Sequence, residues 1–104
     1  MLILNNINKK RVIVCAANRS IKSGKIICGA RHWDSIMRQQ VVFVVSEGGV
    51  KSMPEEWRGA EQGFIDQYGV WITREEAWKI AKAAGQIIWG ADRPDGQLFS
   101  EDLY

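Results

Sequence analysis

The sequence predicts an α+β domain built on a small, mostly antiparallel sheet, and three observations carry that prediction. Short apolar, β-branched runs at residues 11–17 and 25–30 are separated by a Ser-Gly turn. Residues 63–66 and 70–72 flank a Gln-Tyr-Gly turn in the same manner. The strongest local signal is Thr73-Arg74-Glu75-Glu76, a helix start placed after these strands rather than between parallel ones.

Element by element, Arg11–Ala17 reads as a buried strand, and Lys25–Ala30 as its hairpin return. Arg31, His32 and Trp33 leave the sheet. Asp34 suits an N-cap, since its carboxylate can accept from the free amides of a first helical turn. A short helix follows from Ser35. It ends before the β-branched run Val41–Val45 or continues through it as a buried segment; periodicity does not separate the two. Residues 46–54 read as a loop, and 55–59 as a short helical turn. In the main helix Ala77, Ile80, Ala81 and Ala84 recur at helical spacing, and Gly85 is a suitable C′ residue. Gln86–Trp89 is expected as a strand and Gly90–Gly96 as a loop. Ser100-Glu101-Asp102 caps a final turn. The expected sum is one main C-terminal helix and one or two shorter ones on the sheet.

The chain has 104 residues, 46% hydrophobic and 25% charged, which describes a single domain over 1–104. Residues 1–10 are expected as a flexible or edge segment. The formal charge of +2 is not the basic excess of a domain held by duplex phosphates, so no duplex nucleic acid is expected. No apolar run approaches the roughly 18 residues of a membrane span, and the first residues lack the order of a secretory signal. A cytoplasmic protein is the expectation. Cys15 and Cys28 match no zinc or CxxC spacing and are expected as two small buried thiols.

Candidate chemistry is sparse. His32 is the sole histidine, so no histidine dyad exists, and its place near a strand end favours a structural role. No ligand spacing for a metal is present, and no cofactor is implied. Arg74-Glu75-Glu76 invites comparison with the Nudix helix, but the second glutamate pair of that motif is replaced by Trp78-Lys79-Ile80. Binding residues are richer. Arg31, His32, Trp33 and Arg38 lie within eight positions, pairing a stacking face with forked donors that match phosphate oxygens. Phe64 and Trp71 flank a turn. Arg74 opens a helix, where acidic residues are favoured, and Arg93 lies in a Gly/Pro loop. Five tryptophans exceed what one small core readily buries, so one or two are expected at a ligand pocket or subunit interface.

Three segments in order resemble a phage family: 14–17 with Ile27-Cys28-Gly29-Ala30-Arg31-His32-Trp33-Asp34 and Met37-Arg38; Ala60–Asp66 with Gly69 and Thr73–Ala77; and Gly85-Gln86 with Leu98–Tyr104. The chain is similar, from about Val12 to Tyr104, to the first anti-Thoeris family, the Thoeris anti-defence sponges of bacteriophages. The resemblance implies a protein that is not an enzyme. It would bind a cyclic ADP-ribose isomer at a subunit interface and hold it intact, in the cytoplasm of the infected bacterial host. It also implies a homo-oligomer, dimer or hexamer, with cyclic di- or trinucleotides as a further ligand class. By the same resemblance Arg38 would sit on phosphate or ribose beside His32. Phe64 would stack on adenine, Arg74 would line the pocket and Arg93 would act as a lid contact. Two other classes remain open on the residues: an enzyme cleaving a cyclic nucleotide with His32 as acid or base, and an inhibitor docking on a host protein through exposed tryptophans.

Overall fold

A computed structural model of the chain describes residues 10–41, 44, 45, 49, 51–89 and 96–104. Four antiparallel strands form the sheet: β1 (Ile13–Arg19), β2 (Ile26–Gly29), β5 (Glu61–Asp66) and β6 (Trp71–Ile72), in the order β2-β1-β5-β6. Between them the chain forms helix α1 (Ser35–Gln39), a two-stranded ribbon of β3 (Val44–Val45) and β4 (Lys51–Ser52), and a 3₁₀ turn at Glu55–Trp57. Helix α2 (Arg74–Ala83) and a last 3₁₀ turn, Ser100–Asp102, complete the described elements. The fold is α+β, as expected.

Local chemistry explains most boundaries. Asp34 caps α1 by accepting from Met37 N at 2.8 Å and from Arg31 N at 3.0 Å. The cap needs Gly29, because a Cβ there would overlap the Asp34 carboxylate. The β-branched run decides the open question at 41–45: the helix stops at Gln39, and Val44 and Val45 pair with Ser52 and Lys51. Part of the expected 46–54 loop is therefore strand. Thr73 Oγ1 accepts from Glu76 N at 3.3 Å at the start of α2. At its end Gln86 N reaches Ala81 O and Gly85 N reaches Lys82 O, closing a Schellman motif.

Register places Ala16, Asn18, Ile27, Phe64 and Ile72 on one sheet face. Both cores lie there. The larger packs Ile13, Ala16, Phe64 and Ile72 against Ala77, Trp78 and Ala81 of α2, with Leu98. The second joins Ile27, Met37, Val41 and Trp57, with Trp33 packed against it. The opposite face carries Cys15, Ala17, Cys28, Ile65 and Trp71. Both thiols are free and half-buried.

One further expectation is corrected. Residues 86–89 form no strand, because the Gln86 side chain is what meets β1: its amide exchanges two 2.8 Å bonds with the backbone of Ile13. The Ile88 and Trp89 amides instead donate to Asp102 O, at 2.7 and 3.2 Å. The 1–10 segment lies outside the described residues except Lys10, whose carbonyl accepts from Gln67.

Candidate functional site

The turn 31–34 sets the fate of four expected ligand residues. Trp33 adopts φ 58°, a left-handed conformation that bulky residues avoid. It is held there on all sides. Its amide faces Met37 Sδ at 3.2 Å, its ring meets Trp57 edge-on at 6.4 Å, and its indole N–H donates at 2.8 Å to the Asn18 carbonyl, with that amide oriented to satisfy both neighbours. Trp33 thus packs, half-buried, against the second core.

His32 turns the other way. Its Nε2 lies 2.8 Å from Gly63 O, and a carbonyl only accepts, so Nε2 carries the proton. The ring meets Phe64 edge-on at 5.3 Å. Burial, aided by the positive charge of Arg74, pushes the imidazole pKa below its ordinary value although the Gly63 bond opposes the shift. His32 is a neutral clamp on β5. Arg31 donates to Ser100 O at 3.1 Å and to Tyr104 O, with its guanidinium 4.5 Å from the Tyr104 ring centre. Its forked donors are occupied by the chain's own residues. Arg38 lies exposed on α1, and its side chain makes no hydrogen bond or ion pair among the described residues.

Phe64 is 0% exposed at the centre of the larger core. Its ring is enclosed by the side chains of that core in this chain. In β5, Phe64 shares its face of the sheet with exposed Gln62 and buried Asp66. Arg93 lies outside the described residues.

Arg74 is the expected residue whose surroundings look most like a binding site. Its half-buried guanidinium lies 4.9 Å from the Phe99 ring centre, and Nη2 donates to Gln62 Oε1 at 2.6 Å. Its Nε is buried and finds no acceptor, and no carboxylate pairs with it among the described residues. The indole N–H of Trp71 is the other buried donor left without a partner there.

Trp71 sits between two clefts. Its ring lies against Gly63, where a Cβ would come within 2.7 Å of it, and the Arg19 guanidinium covers it at 4.8 Å. One cleft, of about 310 Å³, is lined by Gln62, Trp71, Thr73, Arg74, Glu75 and Gln97, with Glu61 at its edge. The other, of about 490 Å³, is lined by Arg11, Arg19, Trp71, Thr73 and Glu76 among others. Arg19 pairs with Glu61 at 3.1 Å, and Arg11 with the buried Asp66 at 2.9 Å. A third hollow, beside Ile26, Pro54 and Trp57, has no unpartnered buried donor among the described residues.

The structure therefore gathers Arg31, His32, Phe64 and Arg74 around the 98–104 segment, while Trp33 packs in the second core. Sequence reasoning missed Arg19 and left Trp71 unassigned. The β1·β5 register that sets Arg19 against Glu61 and the β5·β6 register that sets Trp71 beside Ile65 are tertiary facts. Among the described residues no three or more His, Cys, Asp or Glu side chains group to hold a metal, and no helix is long and apolar enough to cross a membrane.

A family model described as phage T4 y16D protein matches residues 12–104. No curated protein and no solved structure matches the chain.

Proposed function

The chain belongs to the phage T4 y16D protein family, and from that premise we propose that it is an anti-defence protein that sequesters a cyclic ADP-ribose-type nucleotide without cleaving it. The observation that carries this reading is the pair of unmet buried donors, Trp71 Nε1 and Arg74 Nε, beside two adjoining clefts. A buried donor without an acceptor is costly, and a ligand that supplies the acceptor recovers that cost on binding. A half-buried guanidinium with no carboxylate partner favours an incoming anion for the same reason. Both atoms are buried, so neighbouring side chains must move for a ligand to reach them. Trp71 replaces Phe64 as the aromatic residue beside the candidate site.

Sequestration asks for tight binding and slow release rather than turnover. The clefts are shallow, so a second copy of the chain covering them fits the homo-oligomer that the sequence resemblance implies. The same reading places the protein in the cytoplasm of the infected cell. Cyclic di- or trinucleotides would be a further ligand class, and Arg38, exposed and unpaired, is the described residue from the first expected group still free to meet one.

Calorimetric titration of the purified protein with a cyclic ADP-ribose isomer tests the proposal. The bound ligand is then released by heat and chromatographed. Tight binding with the ligand recovered intact is expected, together with at least about a tenfold weakening in Arg74→Ala, the loss of one charge-assisted hydrogen bond. A linear product would make the protein an enzyme, and no binding to any isomer would remove the nucleotide reading altogether.

A further inference from the structure

Resting on that nucleotide reading, we infer that the cleft between Trp71 and Glu75 reads the amino-bearing edge of an adenine base, with the phosphates directed across Trp71 toward Arg11 and Arg19. The argument is one of complementary donors and acceptors. Glu75 Oε1 accepts from Gln97 Nε2 at 3.1 Å, and its carboxylate has no cationic partner among the described residues. A carboxylate offers about four acceptor positions, so most of its capacity is unused. The unmet donors of Trp71 and Arg74 belong to the same cleft. A ligand edge satisfying both must present a donor and an acceptor side by side.

A phosphate presents acceptors alone and would meet the carboxylates of Glu75 and Glu61. The N6/N7 edge of adenine presents an amino donor beside a ring-nitrogen acceptor, whereas a 6-keto purine presents two acceptors along that edge. The amino group answers Glu75, and N7 answers Trp71 or Arg74. The volume of about 310 Å³ suits a base and part of its sugar, leaving the charged remainder outside. On the far side of Trp71 the larger cleft has two arginines and one carboxylate, Glu76. Their partners, Glu61 and Asp66, leave donors on both guanidinium groups for phosphate oxygens, and the exposed Arg19–Glu61 pair is weak enough to yield. The nucleotide would lie across Trp71 with its base toward the acidic cleft and its phosphates toward the basic one.

The test compares adenosine and inosine monophosphates by calorimetric titration of the full chain. They differ at the 6-position edge, where an amino group becomes a keto group and the N1 proton follows. A site built to hydrogen-bond a donor rejects an analogue lacking it, so AMP is expected to bind at least about tenfold more tightly than IMP. Glu75→Gln is expected to shrink that preference below about threefold at an unchanged melting temperature, since Glu75 is exposed. Arg19→Ala is expected to weaken both nucleotides by a similar factor, leaving their ratio intact. Equal affinity for AMP and IMP, a preference that survives Glu75→Gln, or no binding of either would overturn the inference. A cyclic ADP-ribose isomer titrated alongside separates the two levels: if it binds while AMP and IMP do not differ, base reading in this cleft fails and sequestration stands; if it does not bind, sequestration fails too.

Discussion

Gln86, Gln40 and Gln67 each use a side-chain amide where a strand would use a peptide. Gln86 exchanges two bonds with Ile13, Gln40 exchanges two with Cys28 at the outer edge of β2, and Gln67 bridges Val12 N and Lys10 O. Each covers backbone groups that the short strands leave unpaired. Gln86→Leu keeps similar bulk but strands two part-buried backbone groups, so it should cost about 1–3 kcal/mol in urea denaturation. Phe64→Ala should cost about 3–5 kcal/mol, because the ring is fully buried in the core. That loss would disqualify it as a clean test of ligand stacking. Titration gives another residue-scale expectation. His32 has its pKa lowered in the folded chain, so the unfolded chain binds the proton first as pH falls. Its contribution is full above about pH 6.5 and is lost below it. Burial pushes the Asp66 carboxyl up, but bonds from Val70 N, the Arg11 side chain and Tyr68 N hold it below the usual range, so its contribution is lost only in stronger acid. Denaturation at pH 7.5 and 5.5 should show a stability drop that flattens in His32→Gln.

At the scale of elements, the two helices were legible for different reasons. Helix α2 has a capping threonine, an apolar repeat and a terminal glycine, and all three appear as expected. Helix α1 has five residues, too few to stand by its own propensity, and depends on its cap and on Met37. Asp34 supports both the helix and the preceding turn through Arg31 N, and its pKa is lowered by those amide bonds. Asp34→Ala should therefore cost about 1–2 kcal/mol, the upper range for an N-cap. Asp34→Asn should recover most of it, which a melting comparison of the two variants would show. The β-branched run after α1 was ambiguous in sequence because short apolar runs fit buried helix and strand alike. Pairing with Lys51 and Ser52 decided it.

For the whole molecule, one sheet face supports both cores, and β1 bonds to both neighbouring strands, β2 and β5. A shared central strand couples the two clusters, so the chain should unfold as one unit. Tryptophan fluorescence and far-ultraviolet circular dichroism should trace coincident transitions. Trp57 belongs to the second core and lies outside both clefts at Trp71. Trp57→Ala should therefore lower the common midpoint through a loss of about 3–5 kcal/mol while leaving a single transition. Two separated transitions would show that the cores fold independently.

Alternation, turn residues and caps are local, and through them the sequence by itself determined the α+β class, the hairpins and both helix starts. It could also rank Arg74 as a misfit at a helix start. What it could not decide was which way a side chain faces once strands pair. A shift of one residue moves an entire strand's side chains to the other face. The β1·β5·β6 register buried Phe64 and brought Arg19 onto Trp71, while the left-handed turn at Trp33 sent that ring into the second core. Tertiary structure alone therefore buried Phe64 and set Trp71 between two clefts. An unmet donor is a property of three-dimensional surroundings, and no residue type carries it in sequence.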